Sequence, residues 1–297
     1  MRPMLAAKAT EEILRKHLAQ TYLLASPKLD GIRALVLNNQ LVSRSLKPIR
    51  NKYVNALLSQ EQFDGLDGEL ISGSPCSKDC FRKSTSAFMR FEGEPEFTYY
   101  VFDKHNNIGD FIHRYSHILP SGALGIHGEI HKLLQRSMAS YEDILDYEEK
   151  CLSLGYEGVV LRRPDSLYKH NRSTAREGGM LKLKRFSDAE AQIISVEELF
   201  HNANRAEIDN LGLTKRSHIQ DNKIPTGTMG SLVVQDLKTK ITFRVGTGFN
   251  TSERKQFWQN RYEIAGTIIK YRSLPIGVKN KPRHPVYLGL RNSEDMD

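Results

Sequence analysis

The segment SPKLDGIRAL, residues 26–35, places Lys28, Asp30 and Arg33 around Gly31 where a strand is otherwise expected. Lys28 is the residue that could do chemistry, because an amine can attack phosphorus once it has lost its proton. A free lysine has a pKa of about 10.4, and a neighbouring cation such as Arg33 or a bound metal ion would lower it. Gly31 would let the backbone pass close to a ligand. The segment predicts a nucleophilic lysine, and a solvated turn is the alternative.

Four later segments offer side chains with complementary chemistry. In DGELIS, Glu69 follows a glycine turn, where a carboxylate could bind a ribose hydroxyl or a metal ion. In YYVFD, Phe102 could stack on a nucleobase, and in YEGVVLRR, Glu157 could be an oxygen ligand for Mg²⁺. In LKLK, Lys182 and Lys184 would share one face of a strand and repel each other unless a phosphate lay between them. Each has a structural explanation by itself, but the ordered set favours a functional site.

The elements that must position these side chains fall into two predicted domains, 1–186 and 187–297, with the junction at KRFSDAE. Short strands alternate with helices in the first, which predicts a mixed α+β domain built mainly on antiparallel sheets. In the second domain, a few strands and one helix predict a small β-barrel. The helix is TSERKQFWQNRYEIA, and Thr251 is its expected N-cap. Between its first two strands, residues 201–227 are long, polar and without clear periodicity, so they predict a loop.

Charge and hydropathy limit the kinds of partner. The 297 residues include 43 Lys and Arg against 35 Asp and Glu, a net charge of +8, which favours a polyanion, nucleic acid before a membrane. No apolar run approaches the length of a membrane span, about 18 residues. The N-terminus has no apolar leader segment, so we expect an intracellular, cytoplasmic protein, in the host cytoplasm if the chain is viral.

The cysteines predict no disulfide framework. Cys76 and Cys80 have C-x3-C spacing, which would suit half of a metal site, but no second Cys/His pair follows at the usual distance. We therefore expect reduced thiols at these two positions and at Cys151.

Taken in order, the motifs resemble the covalent nucleotidyltransferase superfamily, and within it the short ATP-dependent DNA ligases of bacteria and bacteriophages. The motifs are K-L-D-G-I-R, S-R (Ser43 and Arg44), D-G-E, Y-x-F-D, E-G-V-V and L-K-L-K. The resemblance extends from RPMLAAK through SDAEAQII to PRHPVYLGLRNSED, and so covers nearly the whole chain. It implies an adenylation domain followed by an OB-fold DNA-binding domain.

The resemblance also implies a reaction and a set of roles. Lys28 would attack the α-phosphate of ATP, carry AMP to the 5′-phosphate of a nick, and leave the 3′-hydroxyl to seal the strand. The implied catalytic residues are Lys28, Asp30, Arg33, Lys182 and Lys184. The implied nucleotide contacts are Lys28, Arg33, Glu69, Phe102, Glu157, Lys182 and Lys184, with Glu69 and Glu157 also serving the metal. The implied DNA contact at the nick is Arg44.

The expected cofactors are ATP and Mg²⁺, with Mn²⁺ as a possible substitute, and the expected partner of a monomeric enzyme is nicked duplex DNA. Because Lys28 comes early in the sequence, we expect no extra N-terminal DNA-binding domain. We therefore expect the basic 201–227 segment to help clamp the duplex. Its basic residues are Arg205, Lys215, Arg216, His218 and Lys223.

Some assignments stay open at this point. Arg114 stands where the family often has a nucleotide-contacting arginine, although the local match is poor, and Arg172 and Arg176 compete for a phosphate. The tail offers Arg283 and Arg291 in place of the family's late R-x-D-K-like element. The alternatives are an RNA-end ligase, an mRNA capping guanylyltransferase and a non-catalytic DNA-binding module. An NAD⁺-dependent ligase is disfavoured, because no cysteine quartet for zinc is present.

Overall fold

The computed structural model describes residues 2–118, 121–183, 187–274 and 281–291. The chain forms two compact units, Met1–Lys184 and Arg185–Asp297. The division lies close to the predicted junction at residue 186. Within the described ranges, no helix is both long enough and apolar enough to cross a membrane.

The first unit is a mixed α+β structure, as predicted. Its described helices are α1 (Glu11–Leu18), α2 (Lys52–Leu58), α3 (Cys80–Met89), α4 (Phe111–Ser116) and α5 (Tyr141–Ser153). Its described strands are β1 (Met4–Leu5), β2 (Ala7–Lys8), β3 (Leu23–Pro27), β4 (Ile32–Leu37), β5 (Gln40–Ser43), β6 (Leu66–Ile71), β7 (Phe97–Lys104), β8 (Gly122–Leu124), β9 (Gly128–Lys132), β10 (Arg136–Met138), β11 (Val159–Arg162), β12 (Asn171–Arg172) and β13 (Leu181–Leu183).

Two main sheets build this unit. One has the strand order β5-β4-β6-β7-β9-β8, the other β10-β3-β11-β13-β2, and β1 pairs with β12. Most neighbours are antiparallel, but β7–β9, β13–β2 and β1–β12 are parallel, because enough chain lies between these strands for it to return in the same direction. Helices α2 and α3 contribute Val54, Leu58 and Phe88 to the core of the first sheet. Helices α1 and α5 contribute Leu14 and Ile144 to that of the second.

Helix α5 has well-defined features at both of its ends. The Ser140 side chain accepts a hydrogen bond from the Asp143 backbone, and the Asp143 side chain accepts one from Ser140, which together form a capping box. At the other end Gly155 has φ +98°, and a Cβ there would lie 2.4 Å from the carbonyl oxygen of Cys76. Glycine is therefore required, and the chain turns sharply towards Glu157 and β11.

The second unit is an OB-like fold with a curled sheet. Its elements are β14 (Ser187–Asn202), β15 (Ala206–Ile208), β16 (Thr214–Arg216), β17 (Lys223–Asp236), β18 (Thr242–Val245), α6 (Thr251–Gln259), β19 (Ile268–Leu274) and β20 (Arg283–Arg291). Five strands pair in the order β18-β17-β14-β19-β20. In the described residues the ladder does not close into a barrel, and a single parallel bridge, Thr247 to Val286, links its two edges. The predicted OB-fold is therefore confirmed, and within the described residues its barrel is open between β18 and β20.

Two local predictions for this unit are wrong. The N-cap of α6 is Asn250 and not Thr251, because the Asn250 side chain and the Glu253 carboxylate exchange backbone hydrogen bonds of 2.8 Å each. Residues 201–227, which we call the hairpin extension, are not a structureless loop: β14 runs to Asn202, β15 pairs with β16, and β17 begins at Lys223.

Candidate active site

Lys28 follows directly after β3 and is held by the chain that leads into β11. β11 pairs with β3, with Val159 opposite Pro27. The Lys28 backbone N–H donates to the Gly158 carbonyl at 2.8 Å, and the Glu157 backbone N–H donates to the Lys28 carbonyl at 3.4 Å. These contacts bring the Lys28 Nζ against the Glu157 carboxylate, with which it forms an ion pair. The side chains are only 22% and 10% exposed, so water screens the pair weakly.

A single cleft in the first unit brings together side chains that are far apart in sequence. The predicted site residues that line it are Lys28, Arg33, Arg44, Glu69, Phe102 and Lys182. Apolar side chains, among them Leu5, Leu133, Val160 and Met180, complete the lining. The lining thus combines apolar side chains with several convergent cations, which suits an organic ligand that carries negative charge.

Arg33 is fixed in the cleft by an acid that the sequence analysis did not assign. Its Nε and Nη2 donate to the two carboxylate oxygens of Asp67 at 3.0 and 2.6 Å, and Nη1 donates to the Met4 carbonyl at 2.5 Å. Asp67 is fully buried and also accepts from the Tyr168 hydroxyl at 2.8 Å. The sequence signal that could have revealed this role is an acidic residue within the apolar strand LDGELI. A charge that is buried in such a strand needs a partner of opposite charge.

Glu69 lies opposite Arg33 on the neighbouring strand β6. Burial raises the pKa of its carboxyl to about 7, although the positive charges of Lys28 and Arg33 act in the opposite direction. The charge of the half-buried Asp30 adds to the rise, but Asp30 is not among the cleft-lining residues. A carboxyl that titrates near neutrality beside two cations is typical of a functional site.

Arg114, the candidate with the poor motif match, is not among the residues that line the cleft. Its side chain is fully buried, and its Nε donates to Asp103 at 2.8 Å. Its Nη1 donates to the carbonyls of Gly109 and Ser166 at 2.8 and 2.9 Å. Arg114 therefore holds protein groups together and does not present its guanidinium to a ligand.

The cations that could meet phosphate lie on β12 and β13. Lys182 lines the cleft opposite Val160 of β11, while Lys184 lies outside the described residues. Arg172 also lines the cleft and donates to the Ala6 carbonyl at 2.9 Å. Arg176 is exposed and is not among the cleft-lining residues, so the geometry favours Arg172 of the two.

The predicted DNA-binding cations of the second unit lie on the hairpin extension. Arg205 and Lys215 are exposed, and Lys223 is half-buried. Arg216 is exposed as a residue, yet its guanidinium donates to the Asn204 carbonyl. Asn204 itself is buried and its amide donates to two carbonyls across the extension at 3.0 and 2.9 Å, so it gives this segment a defined structure.

The tail arginines belong to the second unit. The Arg291 Nε donates to a carboxylate oxygen of Glu190 at 2.8 Å, so this guanidinium is engaged within the unit. Arg283 is half-buried at the start of β20. Neither is among the residues that line the cleft of the first unit.

The cysteines lie in the first unit as free thiols. Cys80 and Cys151 are buried, and Cys76 is partly exposed. Burial raises the pKa of Cys80 to about 11, which keeps this thiol protonated at neutral pH. In the described residues no group of three or more His, Cys, Asp or Glu side chains is arranged to hold a metal ion.

Comparison with known proteins places this geometry in a family. A family model of the ATP-dependent DNA ligase domain matches residues 3–184, and one of the DNA ligase OB-like domain matches residues 223–291. A search of curated proteins gives no match. Among solved structures, a Chlorella virus DNA ligase-adenylate is 33% identical, with 98% of this chain and 99% of that chain covered and a TM-score of 0.53.

Two further structures are similar. A second Chlorella virus DNA ligase-adenylate is 35% identical over 99% of both chains, with a TM-score of 0.53. A Lig E DNA ligase is 20% identical over 98% of this chain and 99% of that chain, and its TM-score of 0.69 shows a shared fold. The first family model alone matches more than half of the sequence. This chain therefore belongs to the ATP-dependent DNA ligases.

Proposed function

We propose that this ligase seals nicks between a 5′-phosphate and a 3′-hydroxyl in duplex DNA through a covalent bond between Lys28 and AMP. The observation that carries the proposal is the cleft, in which the Lys28 amine lies with Arg33, Glu69 and Phe102. Two relatives were solved as ligase-adenylates, in agreement with such an intermediate. The capping enzyme, the RNA-end ligase and the non-catalytic module are not favoured by the family match.

In the first step the ammonium of Lys28, which Glu157 holds in place, gives one proton to water. The free lone pair of Nζ then forms a bond to the α-phosphorus of ATP, the bond from this phosphorus to the bridging oxygen breaks, and pyrophosphate leaves. The nitrogen gives a second proton to water, which leaves a neutral N–H between Lys28 and AMP. Lys182 and Arg172 line the same cleft and would balance the charge of the α-phosphate, with Lys184 in its predicted role beside Lys182. Such a reaction depends mainly on positioning and charge neutralisation.

The adenosine would be held by three side chains of the cleft. Phe102 would stack on the adenine, and Arg33 and Glu69 would bind the ribose hydroxyls. The bidentate contact with Asp67 fixes the Arg33 guanidinium before the nucleotide arrives, so little ordering is required on binding. Asp30, two residues after Lys28, keeps its predicted place in the catalytic set.

The next two steps return Lys28 to its starting state. An oxygen of the 5′-phosphate at the nick attacks the phosphorus of the lysine-bound AMP, the P–N bond breaks, and the nitrogen takes up two protons from water to restore the ammonium of Lys28. The 3′-hydroxyl oxygen then attacks the 5′-phosphorus and loses its proton, and AMP leaves as the strand is joined. Arg44 is exposed where it lines the cleft and would contact the nick phosphate.

The carboxylates of Glu69 and Glu157 fit a magnesium ion, for which manganese would substitute. Mg²⁺ is often held by one or two carboxylates together with substrate phosphates, so a preformed cage of protein ligands is not needed. Here Glu69 lines the cleft and Glu157 contacts Lys28. When bound, the ion supplies positive charge that neutralises phosphate and favours the uncharged amine of Lys28.

We further propose that the hairpin extension grips the DNA backbone through Arg205, Lys215, Arg216 and Lys223. Exposed cations such as Arg205 and Lys215 can pair with phosphates without sequence preference. Action as a monomer, in the cytoplasm or in a host cytoplasm for a viral chain, stays a prediction.

The test is sealing of a labelled, singly nicked DNA duplex in the presence of Mg²⁺, with ATP, GTP or NAD⁺ supplied in parallel. We expect a sealed product with ATP alone, and a lysine-linked AMP in reactions without DNA. A duplex with RNA strands at the nick forms the second arm. Sealing of the RNA nick but not of the DNA nick would contradict the proposal and favour an RNA-end ligase.

A further inference from the structure

A β-bulge lies at Phe102. β7 pairs with β6 through Asp103 opposite Asp67 and Val101 opposite Gly68, so that Phe102 has no counterpart on β6. A bulge interrupts the regular alternation of a strand and re-aims its side chains. Phe102 lines the cleft, and its neighbour Asp103 is fully buried.

The Asp103 carboxylate is surrounded by donors. Arg114 donates to it through Nε and Nη2 at 2.8 and 3.3 Å, Arg162 through Nη1 at 2.5 Å, and the Lys104 backbone N–H at 2.8 Å. The three charged side chains are at most 2% exposed. Burial by itself would raise the pKa of Asp103, but Arg162 and Arg114 hold it below its ordinary value. Asp103 is therefore an anion that fixes two buried guanidinium groups.

One of these groups lies against the ring of Phe102. Arg162 ends β11, and its guanidinium carbon is 5.4 Å from the centroid of the Phe102 ring and 4.7 Å from that of Phe111. Arg33 contacts the Phe102 ring as well, at 5.3 Å. A guanidinium within about 6 Å of an aromatic centroid is attracted to the ring, most strongly where water is excluded. The Phe102 ring is thus held by a buried cation whose own position Asp103 determines.

We infer that Arg162 is a positioning residue for the nucleobase: it orders the Phe102 ring, through the contact that Asp103 fixes, before ATP binds. The inference rests on the proposed function, in which Phe102 stacks on adenine. A ring that is already ordered loses less side-chain freedom on binding. Arg162 therefore acts on the KM for ATP and much less on the rate at saturating ATP.

The test is a double-mutant cycle with Arg162→Met and Phe102→Leu, in which formation of lysine-linked AMP is measured against ATP concentration. Arg162→Met should raise the KM for ATP about 10-fold and change the saturated rate less than about 3-fold. In the Phe102→Leu background the same substitution should raise KM less than about 2-fold, because the ring through which Arg162 acts is gone. Equal effects in both backgrounds would overturn the inference, since Arg162 would then act independently of Phe102.

Two controls keep the outcome interpretable. Arg163→Met alters the next residue, whose guanidinium binds Asp165 at 2.9 and 2.6 Å, and it should leave the KM unchanged. Arg162→Lys keeps a positive charge beside Asp103 but not the planar group, so its KM should lie between those of the wild type and Arg162→Met. It replaces Arg162→Met in the cycle if the melting temperature shows that the latter is unfolded. If the wild-type protein forms no lysine-linked AMP, the proposed function itself is wrong.

Discussion

The nucleotide cleft of the first unit and the hairpin extension of the second are both basic, but they hold their charges differently. Three cations that line the cleft have acidic partners that are at most 10% exposed, and the pairs are Lys28–Glu157, Arg33–Asp67 and Arg162–Asp103. On the extension Arg205 and Lys215 are exposed. Buried pairs are screened little by salt and fix geometry, whereas exposed cations are screened and adaptable. Bond formation needs the first arrangement, and a sequence-independent grip on DNA needs the second.

The largest effect on activity is expected from substitution of Lys28 in the cleft. Lys28→Ala removes the proposed nucleophile, so ATP-dependent sealing should fall by about 10⁴-fold or more. The measurement is sealing of a nicked duplex with ATP, in parallel with a nick that already carries AMP on its 5′-phosphate. The substituted protein should retain sealing of the second substrate, which needs no lysine-linked AMP. The exposed Lys16→Ala is the matched control and should seal both substrates normally.

Removal of a buried ion pair should destabilise the protein much more than removal of an exposed one. Asp67→Asn leaves the Arg33 guanidinium buried without its anion, which should lower the free energy of unfolding by about 3 kcal/mol. The misplaced guanidinium should also slow lysine-AMP formation about 100-fold. Arg244→Gln, which removes the exposed pair with Glu197, should leave both quantities nearly unchanged. Urea unfolding and adenylation rates give the comparison, and equal destabilisation by the two variants would contradict it.

The extension should affect DNA affinity in a salt-dependent way. Replacing Arg205, Lys215 and Lys223 together by alanine should weaken binding to nicked DNA about 10- to 100-fold at low salt. The slope of log K against log salt should become shallower by as much as about 3, because fewer counterions are released. Binding is measured over a salt series, with a control that has the same charge change in the first unit: Lys16→Ala, Lys78→Ala and Lys150→Ala. An unaltered slope in the extension variant would show that these cations do not meet phosphate.

The smallest effect concerns the pH dependence of the cleft. The pKa of Glu69 is raised to about 7, so the folded state binds more protons than the unfolded state between the ordinary carboxyl pKa and 7. The contribution of Glu69 to the free energy of unfolding therefore falls as pH rises through this range, and is constant above it. Relative to Glu69→Gln, the wild-type protein should lose about 4 °C in melting temperature between pH 5.5 and pH 8. If the difference in melting temperature between the two proteins does not vary with pH, the pKa of Glu69 does not lie in this range.

Sequence patterns predicted the fold class and the family correctly, and they failed where a single side chain competes with its neighbours. The end of α5 at Gly155 depends on local sequence alone, because a glycine readily adopts the positive φ that ends a helix. The N-cap of α6 was assigned to Thr251, because the sequence does not show that Asn250 and Glu253 exchange two hydrogen bonds. The hairpin extension was expected to be a loop, since the buried Asn204 that organises it resembles any other polar residue of the segment.

The sequence by itself determined which chemical groups this ligase has available, because a lysine within the K-L-D-G-I-R motif, an aromatic residue and the two lysines of L-K-L-K are recognisable from residue type and spacing. Only the tertiary structure decided which groups meet. It brought the Glu157 carboxylate to the Lys28 amine, 129 residues away in the sequence, and the Asp67 carboxylate to the Arg33 guanidinium. It also enclosed Asp103 between Arg114 and Arg162 beside the Phe102 bulge. These pairings depend on sheet register and burial, and burial is what makes an unpaired charge too costly to keep.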